Sequence, residues 1–103
     1  MKFLGTINAG FPSAAEGYEE RELNIHEYLV QNPAATFFHT VEGDCLCHEH
    51  IRHGSILVVD RSVNPKPGKL VLIEESGTFV VRRFTTDKPM LVCGAVVGAV
   101  TKF

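Results

Sequence analysis

The 103-residue chain has no Trp, only two Tyr and two Met, and three Cys. Cys45 and Cys47 lie too close in sequence to bridge comfortably, and an odd count leaves one thiol over, so a disulfide framework is disfavoured and a reducing compartment fits. A basic excess is also lacking: ten Lys plus Arg face twelve Asp plus Glu, for a formal net charge of -2. Direct, sequence-independent DNA binding needs positive charge to displace counterions from phosphates, so no direct DNA binding is expected. No apolar run reaches the ~18 to 20 residues that cross a bilayer. The longest is broken by Gly94 and Gly98, and no membrane span is expected. The opening MKFLGTINAG carries one Lys and a short apolar stub, too little for a secretory signal, which points to a cytoplasmic protein. What the chain does have is 45% apolar residues, enough for one compact core and not for two.

Residues 1–22 show no sustained periodicity and are punctuated by Gly5, Gly10, Pro12 and Gly17, which reads as an extended N-terminal arm. A single domain is expected over 23–103. Asn24 is placed to cap a short helix over 25–31, with Ile25, Tyr28 and Leu29 on one face and Pro33 ending it. Segments 35–41, 55–60, 69–74 and 78–84 are rich in Val, Ile, Leu, Phe and Thr and read as strands. Glu75-Ser76-Gly77 reads as a tight hairpin turn and Asn64-Pro65-Lys66-Pro67-Gly68 as a rigid one, so the sheet should be largely antiparallel. A last strand over 91–101 carries apolar residues on both faces, as a strand buried against a core or exposed at an edge to a partner would. Phe37, Phe38, Phe79 and Phe84 are expected in the core, and Cys93 as a small buried hydrophobe. The expected fold class is mainly β with one short helix.

The densest chemistry lies in Glu42-Gly43-Asp44-Cys45-Leu46-Cys47-His48-Glu49-His50, followed by His53. Cys45, Cys47, His48, His50 and His53 are donor types that zinc accepts, but structural sites draw a second ligand pair from another segment. Crowding in one stretch favours a solvated turn, and no metal or other cofactor is expected. Cys45, just after Gly43-Asp44, is also placed as a nucleophile presented at a sharp turn.

Six stretches in order resemble the LexA/UmuD group of self-cleaving regulators, and its UmuD branch most closely. Ala9-Gly10-Phe11-Pro12-Ser13 is similar to the cleavage site, and 23–38 to the short helix, Pro and first strand. Glu42-Gly43-Asp44-Cys45-Leu46 stands in place of the family's Ser-Gly-Asp-Ser-Met, and His53 to Asp60 in place of the Asp-Gly-Asp strand. Phe79-Val80-Val81-Arg82-Arg83-Phe84 corresponds to the Val-Lys-Lys/Arg-Leu strand, and Val92-Cys93-Gly94-Ala95-Val96-Val97 to the terminal strand used in dimerisation. The resemblance implies a LexA/signal-peptidase-like β-rich core and a role in SOS mutagenesis. It also implies a homodimer, a UmuC-like polymerase subunit and the RecA filament as partners.

The departures bear on activity. The family's serine nucleophile and lysine base are matched by Cys45 and Arg82, a degenerate dyad. A base lysine must shed its proton, and a guanidinium does not. Arg82 could hold Cys45 as a thiolate but could not shuttle a proton. Only nine residues precede Gly10, and the span from Phe84 to Met90 is short where the family inserts a hairpin or loop. These features point to a non-cleaving accessory protein resembling the processed form. The alternatives are an active peptidase using Cys45 to cut Ala9-Gly10, with a histidine such as His26, His39 or His48 as shuttle, and a metal- or redox-responsive regulator built on residues 45–53.

Overall fold

The computed structural model describes residues 2–6, 21–43 and 49–103. Asn24 caps helix α1 (Ile25–Leu29), its Oδ1 accepting from the Glu27 N–H at 3.0 Å. The helix is two residues shorter than the sequence pattern suggests, because the Val30 N–H closes onto the His26 carbonyl while Val30 itself is extended. Pro33 then opens a 3-10 helix (Pro33–Ala35). Proline is tolerated at this first position, where its missing N–H is not needed.

Five β-branched or aromatic segments form one antiparallel sheet: β3 (Thr36–Thr40), β4 (Ile56–Asp60), β5 (Leu70–Glu75), β6 (Thr78–Arg83) and β7 (Leu91–Val100), in the order β3-β4-β7-β5-β6. A separate ribbon pairs β1 (Lys2–Phe3) with β2 (Arg21–Glu22), joining the two ends of the N-terminal segment. The hairpin turn expected at Glu75-Ser76-Gly77 is present, with Glu75 still paired to Thr78 and the turn made by Ser76 and Gly77 at φ of 53° and 77°. Two positive φ values match the twist of the flanking strands.

The terminal strand is not at an edge. The N-terminal half of β7 pairs with β5 and its C-terminal half with β4, with a register shift in each ladder. Ten residues are long enough to serve two shorter neighbours in succession, so its two-sided apolar character is explained by a central position. Among the described residues the edge strands are β3 and β6. In a flat sheet these would lie roughly 19 Å apart, four strand spacings. Yet the rings of His39 on β3 and Phe79 on β6 have centroids 6.2 Å apart, so the sheet curls and its edges face one another across a groove.

Inside the curl Ile51, Leu57, Val59 and Leu72 form the core, with Val41, Leu70, Val81, Cys93 and Val96 packed against them. On the opposite face Val58, Val71 and Ile73 are buried as well, and Leu29 of α1 approaches Gly98. Three of the four phenylalanines expected in the core are exposed: Phe37, Phe38 and Phe79. They belong to edge strands, which have a neighbour on one side only and so give their aromatic rings less cover. Cys93 is half-buried.

One buried charge ties the 3-10 turn to the sheet. Asp60 is 3% exposed and accepts from Asn32 Nδ2 at 2.8 Å, from the Ser62 N–H at 2.8 Å and from Ser62 Oγ at 2.6 Å. The bond from Asn32, with those from Ser62, holds its carboxyl below the usual value of 3.8. A lowered folded pKa means stability that is present above the unfolded pKa and is lost as pH falls through the folded value. Thermal melts followed by circular dichroism should therefore show the protein losing stability as pH drops below about 4. Asp60→Asn should melt lower at pH 7 and show a flatter acid dependence; an unchanged acid slope would remove Asp60 from the account.

Candidate functional site

Only part of the residues that the sequence marks for chemistry are among those described. Ala9, Gly10 and Cys45, like Cys47 and His48, lie outside the described residues, and the structure speaks only of what flanks them. The flanks of 44–48 are tied down. Gly43, which follows β3, is at φ 92°, a left-handed conformation that glycine adopts without strain. Its N–H donates to Nδ1 of His53 at 3.1 Å. An Nδ1 that accepts leaves the neutral ring's proton on Nε2. Glu49, at the other end, has both carboxylate oxygens on Nη2 of Arg83, while Nη1 of Arg83 reaches the Gly68 carbonyl. The Glu49 side chain is 12% exposed and that of Arg83 56%, so among the described residues Glu49 is better shielded than Glu75, the partner of Arg82.

Arg82 points the other way. Strand alternation turns consecutive residues to opposite faces, so Arg82 projects with Val80 and meets Glu75 across the hairpin at 3.5 Å, its side chain 46% exposed. A lysine base needs burial to lose its proton, and neither this exposure nor a carboxylate neighbour supplies that condition. The groove between the sheet edges runs past this strand. His39, Val41, Leu57, Leu72, Phe79 and Val81 line it, with Arg82 on its margin.

The sequence motif places Arg82 at the lysine position, assigns no role to Arg83 and weighs His53 as a possible metal ligand. The contacts of both join segments more than nine residues apart, which no local pattern announces. His26 lies in α1 and His39 on the groove wall. Of the candidate metal donors, His50 and His53 are exposed. No group of three or more His, Cys, Asp or Glu is arranged to hold a metal among the described residues. No described helix is long and apolar enough to cross a membrane.

Comparison with known proteins agrees with the motif order. The sequence profile of Peptidase S24-like matches residues 2–92. Protein MucA of Escherichia coli is 46% identical over 81 residues, covering 79% of this chain and 56% of MucA. Protein ImpA of Shigella flexneri is 41% identical over the same length and the same shares. The LexA repressor of Shewanella denitrificans is 27% identical over 84 residues, 82% of this chain and 40% of the repressor. The chain thus spans a little over half the length of relatives such as MucA and ImpA.

Proposed function

Because the chain belongs to the Peptidase S24-like family, in its LexA/UmuD group, we propose that it is a UmuD-like SOS-response protein that does not cleave itself. It acts as a dimeric accessory subunit of an error-prone translesion DNA polymerase, through contacts with a UmuC-like subunit and the RecA filament. Arg82 carries this reading. The position that matches the family's proton-transferring lysine holds a cation that stays protonated, half exposed and paired with Glu75. Such a residue can neither take a proton from a nucleophile at Cys45 nor hand one to a leaving amine. With no chemistry of its own, a small domain of near-neutral charge acts through surfaces, and the exposed Phe37, Phe38 and Phe79 supply apolar ones.

The test is the intact mass of the full chain after incubation at neutral and alkaline pH, with and without an activated RecA filament. The mass should remain that of residues 1–103 in every arm. Accumulation of a species beginning at Gly10, blocked by Cys45→Ala, would show a working cysteine peptidase and overturn the non-cleaving reading.

A further inference from the structure

Backbone hydrogen bonding along β6 alternates between the sheet and the free edge. The ladder with β5 closes at Glu75 opposite Thr78 and runs on past the end of the strand, where the Phe84 N–H donates to the Lys69 carbonyl at 2.7 Å. Thr78, Val80, Arg82 and Phe84 thus turn their backbone groups to β5, and Phe79, Val81 and Arg83 turn theirs outward. One outward group is capped from within the strand itself: Nη1 of Arg82 donates to the Val81 carbonyl at 3.2 Å. Among the described residues no strand lies beyond this edge. The chain that follows is too short to supply one. β6 and β7 both run antiparallel to β5, which lies between them, so the link 84–90 must return along β5 and step over it. That path is about 13 Å along the strand and about 10 Å across it. A link of this length reaches at most about 25 Å, and crossovers between parallel strands ordinarily take about a dozen residues or more. None remain to turn back and pair along β6. A row of outward N–H and C=O groups beside the exposed Phe79 ring is a template for another strand.

We propose that β6 takes up an extended segment of a partner protein as a further strand of the sheet, by β-augmentation. Side chains on one face of that segment enter the groove beside Phe79, Val81 and His39 and are apolar. Those on its other face stand beside Val80 and Arg82. An incoming N–H takes over the Val81 carbonyl and releases the Arg82 guanidinium. The pair that Arg82 keeps, with Glu75, is half-exposed and weak, so the freed cation favours a second carboxylate on the incoming strand. The occupant is therefore a segment that alternates apolar and acidic residues. The other edge strand, β3, reads Thr-Phe-Phe-His-Thr and carries no arginine or lysine to select a carboxylate.

The inference rests on the accessory reading above and names the chemistry of the partner at one edge. Amide hydrogen exchange of the full chain, followed by NMR, tests it with a synthetic heptapeptide of alternating Val and Glu as the probe. Without peptide the Phe79, Val81 and Arg83 amides should exchange fast and those of Val80 and Arg82 slowly. Saturating peptide should slow the three fast amides by at least about tenfold. A fully N-methylated copy keeps the side chains but has no N–H to give the Val81 carbonyl, and should protect nothing. Lys in place of Glu should weaken binding about tenfold, and Arg82→Gln should erase that preference with circular dichroism unchanged. Protection of the outward β3 amides, Phe38 and Thr40, in place of those on β6, or protection nowhere, would overturn the site. Slow exchange at the three β6 amides that grows with protein concentration and needs no peptide would give the edge to a second copy and overturn the partner. The polymerase subunit separates this from the accessory role. If the subunit binds without slowing the three amides, the edge falls and the role stands; if the peptide protects them and the subunit does not bind, the edge stands and the role falls.

Discussion

Gly94→Val is expected to be among the most damaging single substitutions in the sheet. A Cβ at position 94 falls 2.6 Å from Cγ1 of Val59 and 3.4 Å from the Asp60 carbonyl oxygen. Real Cβ contacts are not that short, so something must move. Val59 is 1% exposed and β-branched, with one stiff torsion and buried neighbours on both strands, so it has nowhere to turn. Overpacking of this kind costs about 1 to 3 kcal/mol, and valine's two extra methyls place it at the upper end. Against a total stability of roughly 5 to 15 kcal/mol this is a large share. Urea unfolding should show the midpoint fall. Adding Val59→Ala to a Gly94→Ala background should recover part of the loss, since the clash is with that side chain; strictly additive losses would show the close approach to be unimportant.

Leu57→Ala should cost about 2 to 5 kcal/mol, the range for truncating a leucine in a core that cannot collapse. Leu57 is 2% exposed and packs in the cluster with Ile51, Val59 and Leu72 that holds the curl of the sheet. In a domain of this size the melting temperature should drop by about 10 °C or more. The neighbouring Ile56→Ala is the control. Ile56 is on the same strand but faces away and is 40% exposed, so its truncation should cost much less. Equal losses at the two positions would mean that the inside of the curl is not the main core. The same variants bear on function, because His39 and Phe79 line the groove only while the curl is kept.

Much of the local structure was legible in the order of residues. Asn24 announces the helix start, Glu75-Ser76-Gly77 the hairpin turn, and the runs of Val, Ile and Phe the five strands of the main sheet. Each is a choice made within a few residues by backbone sterics and capping, so sequence alone determines it. The motif order likewise disclosed the family. Which strand lies beside which is decided otherwise, by pairing between segments far apart in the chain. β7 reads equally well as an edge or a centre, and only the assembled sheet, with β4 and β5 on its two sides, settles it. The exposure of Phe37, Phe38 and Phe79 follows from that order, because an apolar residue is buried only when something stands over it. The opposite headings of Arg82 and Arg83 follow from strand alternation. Their partners, Glu75 across a hairpin and Glu49 thirty-four residues away, are supplied by the tertiary fold.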